Sequence, residues 1–387
     1  MDKSAKKNLL LRILAFLATA ILVLATVFLV ANWQKLNFDY IRRWWAYRSL
    51  DRNEQGEVES YPYAGGVNST FGKVGDDLLV CSPGSIHLYS PSGTACVAQT
   101  CSMSAPILST AGNTGLVYDA GGSTLYVFRD RALAFTFTSQ EGYSILCASL
   151  NAQGRLTVAT QASGVKGAVT VYDSSFQPVF GVNLSSRFIT DAILSPDGST
   201  LALATAGQTG GIYDSQISFY SLSRSEGEHA PDAVCSLGSN TILKLSWPSQ
   251  PLRVLGEEAL VFLNADGTQA GSYSYDWRYL KGYSLDGESS CALLLGRARA
   301  GTTADLVTVD LSGQETAALL MEQQVLSLSA AGRYLSVLTV DDLTIYQNEL
   351  TVYHTTEDLL GARKVLQHAD GSATLIAADS ARLYLPD

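Results

Sequence analysis

Charge is scarce in this sequence. Asp, Glu, Lys and Arg make up 16% of 387 residues, against about 25% in an ordinary soluble domain. A surface so short of charge has to be made of hydroxyls, glycines and turns, which favours many short strands over long solvent-facing helices. Histidine is scarcer still. His87, His229, His354 and His368 are the four, and none lies two to four residues from another His or Cys, so no spaced metal-ligand pair exists. The six cysteines contain no CxxC, which removes thioredoxin-like and zinc-ribbon readings. Most fall within strand-like runs as small hydrophobes. Cys96 and Cys101 are the nearest pair, but five residues along one strand set them too far apart to bridge without a bend.

Nucleophile motifs are missing as well. There is no GxSxG elbow and no P-loop. The NADG stretch at 264–267 lacks the twelve-residue ligand series of a calcium loop. The acidic pairs Asp76-Asp77, Glu257-Glu258 and Asp341-Asp342 fall where hairpin turns are expected and read as solvated turns. No catalytic residue, metal site or cofactor is expected from these patterns.

What is present is divided unevenly. Residues 1–50 hold eight basic and two acidic residues, a net +6, whereas the rest holds 18 basic and 34 acidic, a net −16. An acidic body disfavours nucleic acid, which needs clustered Lys and Arg. A basic head beside an apolar run suits a lipid surface. No charge occurs in residues 13–34, and 22 residues of helix reach roughly 33 Å, enough to cross a bilayer. The expectation is a basic segment 1–12, a transmembrane helix 13–34 and an interfacial helix with linker over 35–57. Trp33, Trp44, Trp45 and Tyr47 mark the headgroup level. The run is too long for a cleaved signal, whose apolar core is about 7–15 residues. Four basic residues lie on each side of the span. The tight group Lys3, Lys6, Lys7 and Arg12 favours an inside N-terminus and an extracytoplasmic body.

Residues 58–387 repeat. An alternating strand ending in an aromatic or a polar turn recurs eight times, from IHLYS at 86–90 through VTVYD at 169–173 to LYLPD at 383–387. The copies are roughly forty residues apart, the length of four short strands. Upstream of most lies an unbroken small apolar run such as TLALAT at 200–205 or CALLLG at 291–296, read as the second strand of each unit. Pro196-Asp197-Gly198, Asp286-Gly287 and Asp370-Gly371 supply turns between first and second strands. The expected fold is therefore all-β, an eight-bladed β-propeller. The chain ends after a third strand, so residues 58–64 (VESYPYA) are expected to supply the last blade's outer strand and close the ring.

The stretch SPDGSTLALAT at 195–205 resembles turns of the WD40-like, YVTN-like and quinoprotein-like propeller superfamily. Anchor and blades together resemble a family of single-pass propeller proteins from Gram-positive bacteria. The resemblance implies fold and topology but no activity. The Trp-Asp signature of true WD40 blades is absent, as is the glycine-and-tryptophan docking motif of quinoprotein dehydrogenases.

In a propeller the loops between second and third strands share one face with those joining successive blades. Three of the former are long: 161–167, 206–215 and 296–304. They and their neighbours carry Tyr143, Lys166, Arg187, Tyr213, Trp277, Arg297 and Arg299, the candidate binding residues, because exposed aromatics and Arg favour interfaces. The expected role is a membrane-anchored binding or scaffolding module for a protein partner or envelope polymer. The alternatives are a channel enzyme or a cytoplasm-facing platform. The first-strand segments, rich in Ser, Leu and Ala (ILCASL, AILSP, VLSLSA), weigh against the enzyme.

Overall fold

The computed structural model describes residues 13, 15–23, 26, 38–48, 50, 58–66, 68–223 and 230–386. The chain divides into two units, Met1–Ser49 and Leu50–Asp387. In the first, residues 15–23 are helical with Phe16, Leu17, Ile21 and Leu22 exposed. A second helix, Phe38–Tyr47, exposes Ile41, Trp44 and Trp45, and Arg48 covers the Trp45 ring at 4.8 Å. Much of the expected span 13–34, and the linker over 51–57, lie outside the described residues. Among those described, no helix is long and apolar enough to cross a membrane.

The second unit is an eight-bladed propeller of four-stranded antiparallel sheets. Blade 1 is β2 (Thr70–Val74), β3 (Asp77–Cys81), β4 (Ser85–Tyr89) and β5 (Ala95–Thr100). Each later blade repeats this order, and the eighth is β30 (Lys364–Gln367), β31 (Ala373–Ile376), β32 (Ser380–Tyr384) and β1 (Tyr61–Pro62). The second strands are the unbroken apolar runs, and β3 and β27 (Tyr334–Thr339) are buried at every residue. Such a strand has a neighbouring blade on both faces and no wet side to alternate towards. The fourth strands alternate, as in β17 (Ala233–Gly238), because one face meets solvent.

Apolar side chains fill every gap between blades. Each cluster spans two sheets. Between blades 3 and 4, for instance, Val169, Val171 and Val182 meet Leu201, Leu203 and Tyr220. The gap between blades 8 and 1 is filled alike, by Ile376, Ala381 and Tyr61 against Leu78, Val80 and Tyr89.

The first and last segments of the propeller pair there. Tyr61 pairs with Ala381 and Pro62 with Ser380. The Val58 and Tyr63 amides donate to the Leu383 and Asp379 carbonyls at 3.1 and 3.2 Å. The regular strand is two residues long, and Pro62 has no amide to lend it.

Two expectations are corrected. Residues 206–215 are not a loop: β15 (Thr200–Thr209) and β16 (Ile212–Ser221) run on as a paired hairpin through Thr209↔Ile212. Gly210 and Gly211, with φ of +61° and +83°, make the two-residue turn that such a hairpin needs. Asp77 is not a solvated turn carboxylate. It is buried, and Arg131 of blade 2 grips both its oxygens at 2.8 Å.

Candidate interaction face

Because the strands alternate in direction, the loops after second strands and the connections between blades emerge on one face. The blade 4 hairpin dominates it. Three residue pairs beyond Ala206 stand roughly 10 Å proud at the usual rise per strand residue. Its tip carries Ile212, 74% exposed, and Tyr213. Its root is clamped by Arg187, whose Nε donates to Thr205 Oγ1 at 3.0 Å and whose Nη1 lies 3.4 Å from Asp214 Oδ2. Burial alone would raise the Asp214 carboxyl. Hydrogen bonds from Ser236, Thr209 and Gln216, with the Arg187 charge, outweigh it and hold the group below the usual carboxylate range. Arg187 thus sits inside the blade rather than on the rim.

The other candidates fall into two neighbourhoods. Lys166, in the loop between β11 (Leu156–Thr160) and β12 (Gly167–Tyr172), places its Nζ 4.6 Å from the ring centroid of Phe188, itself 56% exposed. Within blade 6, Arg299 covers the Tyr279 ring at 5.4 Å, and exposed Arg297 shares its loop. On the connection from blade 5 into blade 6 is Trp277, 98% exposed. Asp276 and Trp277 adopt φ of 50° and 68°, a conformation bulky side chains avoid. Buried Tyr275 holds this turn: its hydroxyl donates to the Gly256 carbonyl at 3.1 Å, and its own carbonyl accepts from the Arg278 amide and Nε at 3.0 and 2.9 Å. Arg278 also donates to the Tyr273 hydroxyl at 2.7 Å. Tyr143, half-buried, lies on the connection into blade 3.

His368 and three of the cysteines are buried in the blades. His368 is buried with Nε2 2.9 Å from Thr374 Oγ1, and burial, then Lys73, keeps its pKa well down. His229 lies outside the described residues. Cys81, Cys147 and Cys291 are buried free thiols, and burial raises all three. Among the described residues no three of His, Cys, Asp and Glu gather as a metal site would require.

A family model described as "Family of unknown function (DUF5711)" matches residues 53–244. No curated protein matches the chain. Among solved structures, BamB from Moraxella catarrhalis is similar over 85% of this chain and 99% of its own, with a TM-score of 0.53 and 10% identity. A eukaryotic initiation factor is similar over 83% and 84%, with a TM-score of 0.52 and 13% identity. At such identities the likeness is one of fold.

What the sequence reading missed is the first-strand chemistry. The propeller has five lysines, Lys73, Lys166, Lys244, Lys281 and Lys364. All but Lys166 lie on innermost strands, β2, β18 (Ile242–Ser246), β22 (Tyr279–Ser284) and β30. Counting lysines per repeat position would have found them.

Proposed function

We propose that the propeller is a binding and scaffolding module tethered to a membrane by residues 13–34, taking a protein partner or envelope polymer on the face built around Trp277 and the blade 4 hairpin. Trp277 carries this reading. A fully exposed indole on a left-handed backbone buries nothing in this chain and is held against its own preference. Such a conformation costs about 1–2 kcal/mol. Lys166, Tyr213, Arg297 and Arg299 extend the same aromatic and cationic chemistry, the composition favoured where interfaces have hot spots. The charge-free run of residues 13–34 and the exposed apolar side chains of 15–23 support the tether. The tight basic group before it supports an extracytoplasmic propeller. Pairing of the first and last segments of the propeller supports a ring clasped by its N-terminal strand.

The test combines Trp277→Gly with Arg297→Ala and Arg299→Ala. Glycine relieves the left-handed turn, so the thermal midpoint should hold or rise while capture of cross-linked membrane partners falls. Unchanged capture by a folded variant contradicts the reading.

A further inference from the structure

Five consecutive blades carry the same irregularity. In blades 3 to 7 the first strand has one extra residue opposite its second strand: Leu146, Thr190, Leu243, Lys281 and Leu326. A bulge re-aims a side chain and leaves its backbone out of the ladder. Leu243 and Leu326 are 51% and 38% exposed despite lying mid-fold, whereas Leu146 packs on the core between blades 3 and 4 and the Lys281 stem lies over Gly296.

Three of these bulges border one cavity of about 430 Å³, lined by Leu243, Leu280, Lys281, Tyr283, Leu326 and Leu328. Its size suits a small molecule. Its wall is apolar, and its cation is Lys281, whose Nζ donates to the Gly301 carbonyl at 2.5 Å and is paired with no carboxylate among the described residues. The first strands as a set hold four lysines and one acid, Asp191. That acid is occupied by the Leu245 and Ala192 amides, each at 2.9 Å. An excess of lysine over acid on the innermost strands, within an acidic body, favours anions there.

We propose that this cavity binds a small apolar anion, its aromatic or aliphatic body against Leu243, Leu326 and Leu328 and its acidic group on Lys281. The site is independent of Trp277, so loss of one leaves the other testable.

The experiment titrates the full chain in lipid nanodiscs, with empty nanodiscs as blank, using naphthalene-2-carboxylate, 2-naphthylmethylammonium and neutral 2-naphthalenemethanol. One equivalent of the carboxylate should bind, at least about tenfold tighter than the ammonium. Lys281→Met should weaken the carboxylate roughly tenfold and leave the alcohol unchanged. Leu326→Asp should weaken both. No saturable carboxylate binding, equal affinity for the ammonium, or an unchanged carboxylate affinity in Lys281→Met overturns the proposal. Because Lys281→Met keeps an unbranched stem over Gly296 and removes only the amine and its bond to Gly301, it decides the matter even if Leu326→Asp fails to fold, with the unchanged alcohol affinity reporting an intact cavity.

Discussion

Several polar residues in this chain serve the joints between blades. Arg129 of blade 2 donates to the Gly154 carbonyl of blade 3 at 3.1 Å, and Arg155 of blade 3 to the Gly198 carbonyl of blade 4 at 2.9 Å. Arg from one blade thus ties down the turn glycine of the next. Hydroxyls do the same nearer the axis. Ser149 donates to the Ala192 carbonyl at 2.7 Å, and the Ser284 and Ser329 hydroxyls accept the Ala330 and Gln367 amides at 2.8 and 2.9 Å. An inner strand has an unpaired backbone edge, and a short hydroxyl side chain satisfies it without filling the channel. The Ser-rich first strands visible in the sequence therefore have a structural cause. Asp214 gives the clearest prediction at this scale. Its folded pKa is depressed below the unfolded value of about 3.9. Its contribution is therefore present above about pH 4 and lost as pH falls through the folded value. Asp214→Asn should cost roughly 1–3 kcal/mol at pH 7, and the gap in thermal midpoint from wild type should close in acid. A gap constant from about pH 7 to pH 3 would contradict the depressed pKa.

At the scale of elements, the second strands and their turns were legible because both rest on short-range rules. An unbroken small apolar run needs no knowledge of its partners, and Asp197-Gly198 supplies its own geometry. Ser195 and Ser199 hydroxyls reach the Asp197 carboxylate at 2.5 and 2.9 Å, and Gly198 sits at φ +69°. The blade 4 hairpin was not legible. Its extension pairs Gln208 with Tyr213 and Gly207 with Asp214, polar residues that carry no apolar alternation. The bulges were hidden for another reason: register belongs to two strands at once, and Leu243 or Leu326 alone looks like any core leucine. Arg187 and Trp277 looked alike as candidate rim residues, and only the fold separates a clamp from an exposed ring. The two-residue strand Tyr61–Pro62, with the residue that follows it, makes a prediction of its own. The Tyr63 hydroxyl lies 2.9 Å from both the Ala377 and Ala378 carbonyls, while its ring meets Phe71 of blade 1 edge-on at 5.3 Å. Tyr63→Ala should lower unfolding free energy by about 3 kcal/mol, read as a lower denaturant midpoint. A loss under about 0.5 kcal/mol, the range of surface changes, would mean that this strand bears no part of the closure.

As a whole, the propeller is a ring whose two faces differ. One bears the tight turns with their Arg and Asp ties. The other bears the protruding hairpin, Trp277 and the Arg299–Tyr279 pair. Rigid scaffolds with variable loops on one side are built for recognition, and a membrane tether would raise the local concentration of whatever is bound. The most direct measurement places a photo-crosslinking residue at position 277, with a control at the exposed Ser175 of the opposite face, in membranes from cells making the full chain. A discrete adduct from 277 and none from 175 is the expected result. Equal labelling at both positions, or none at 277, would contradict a partner-binding face.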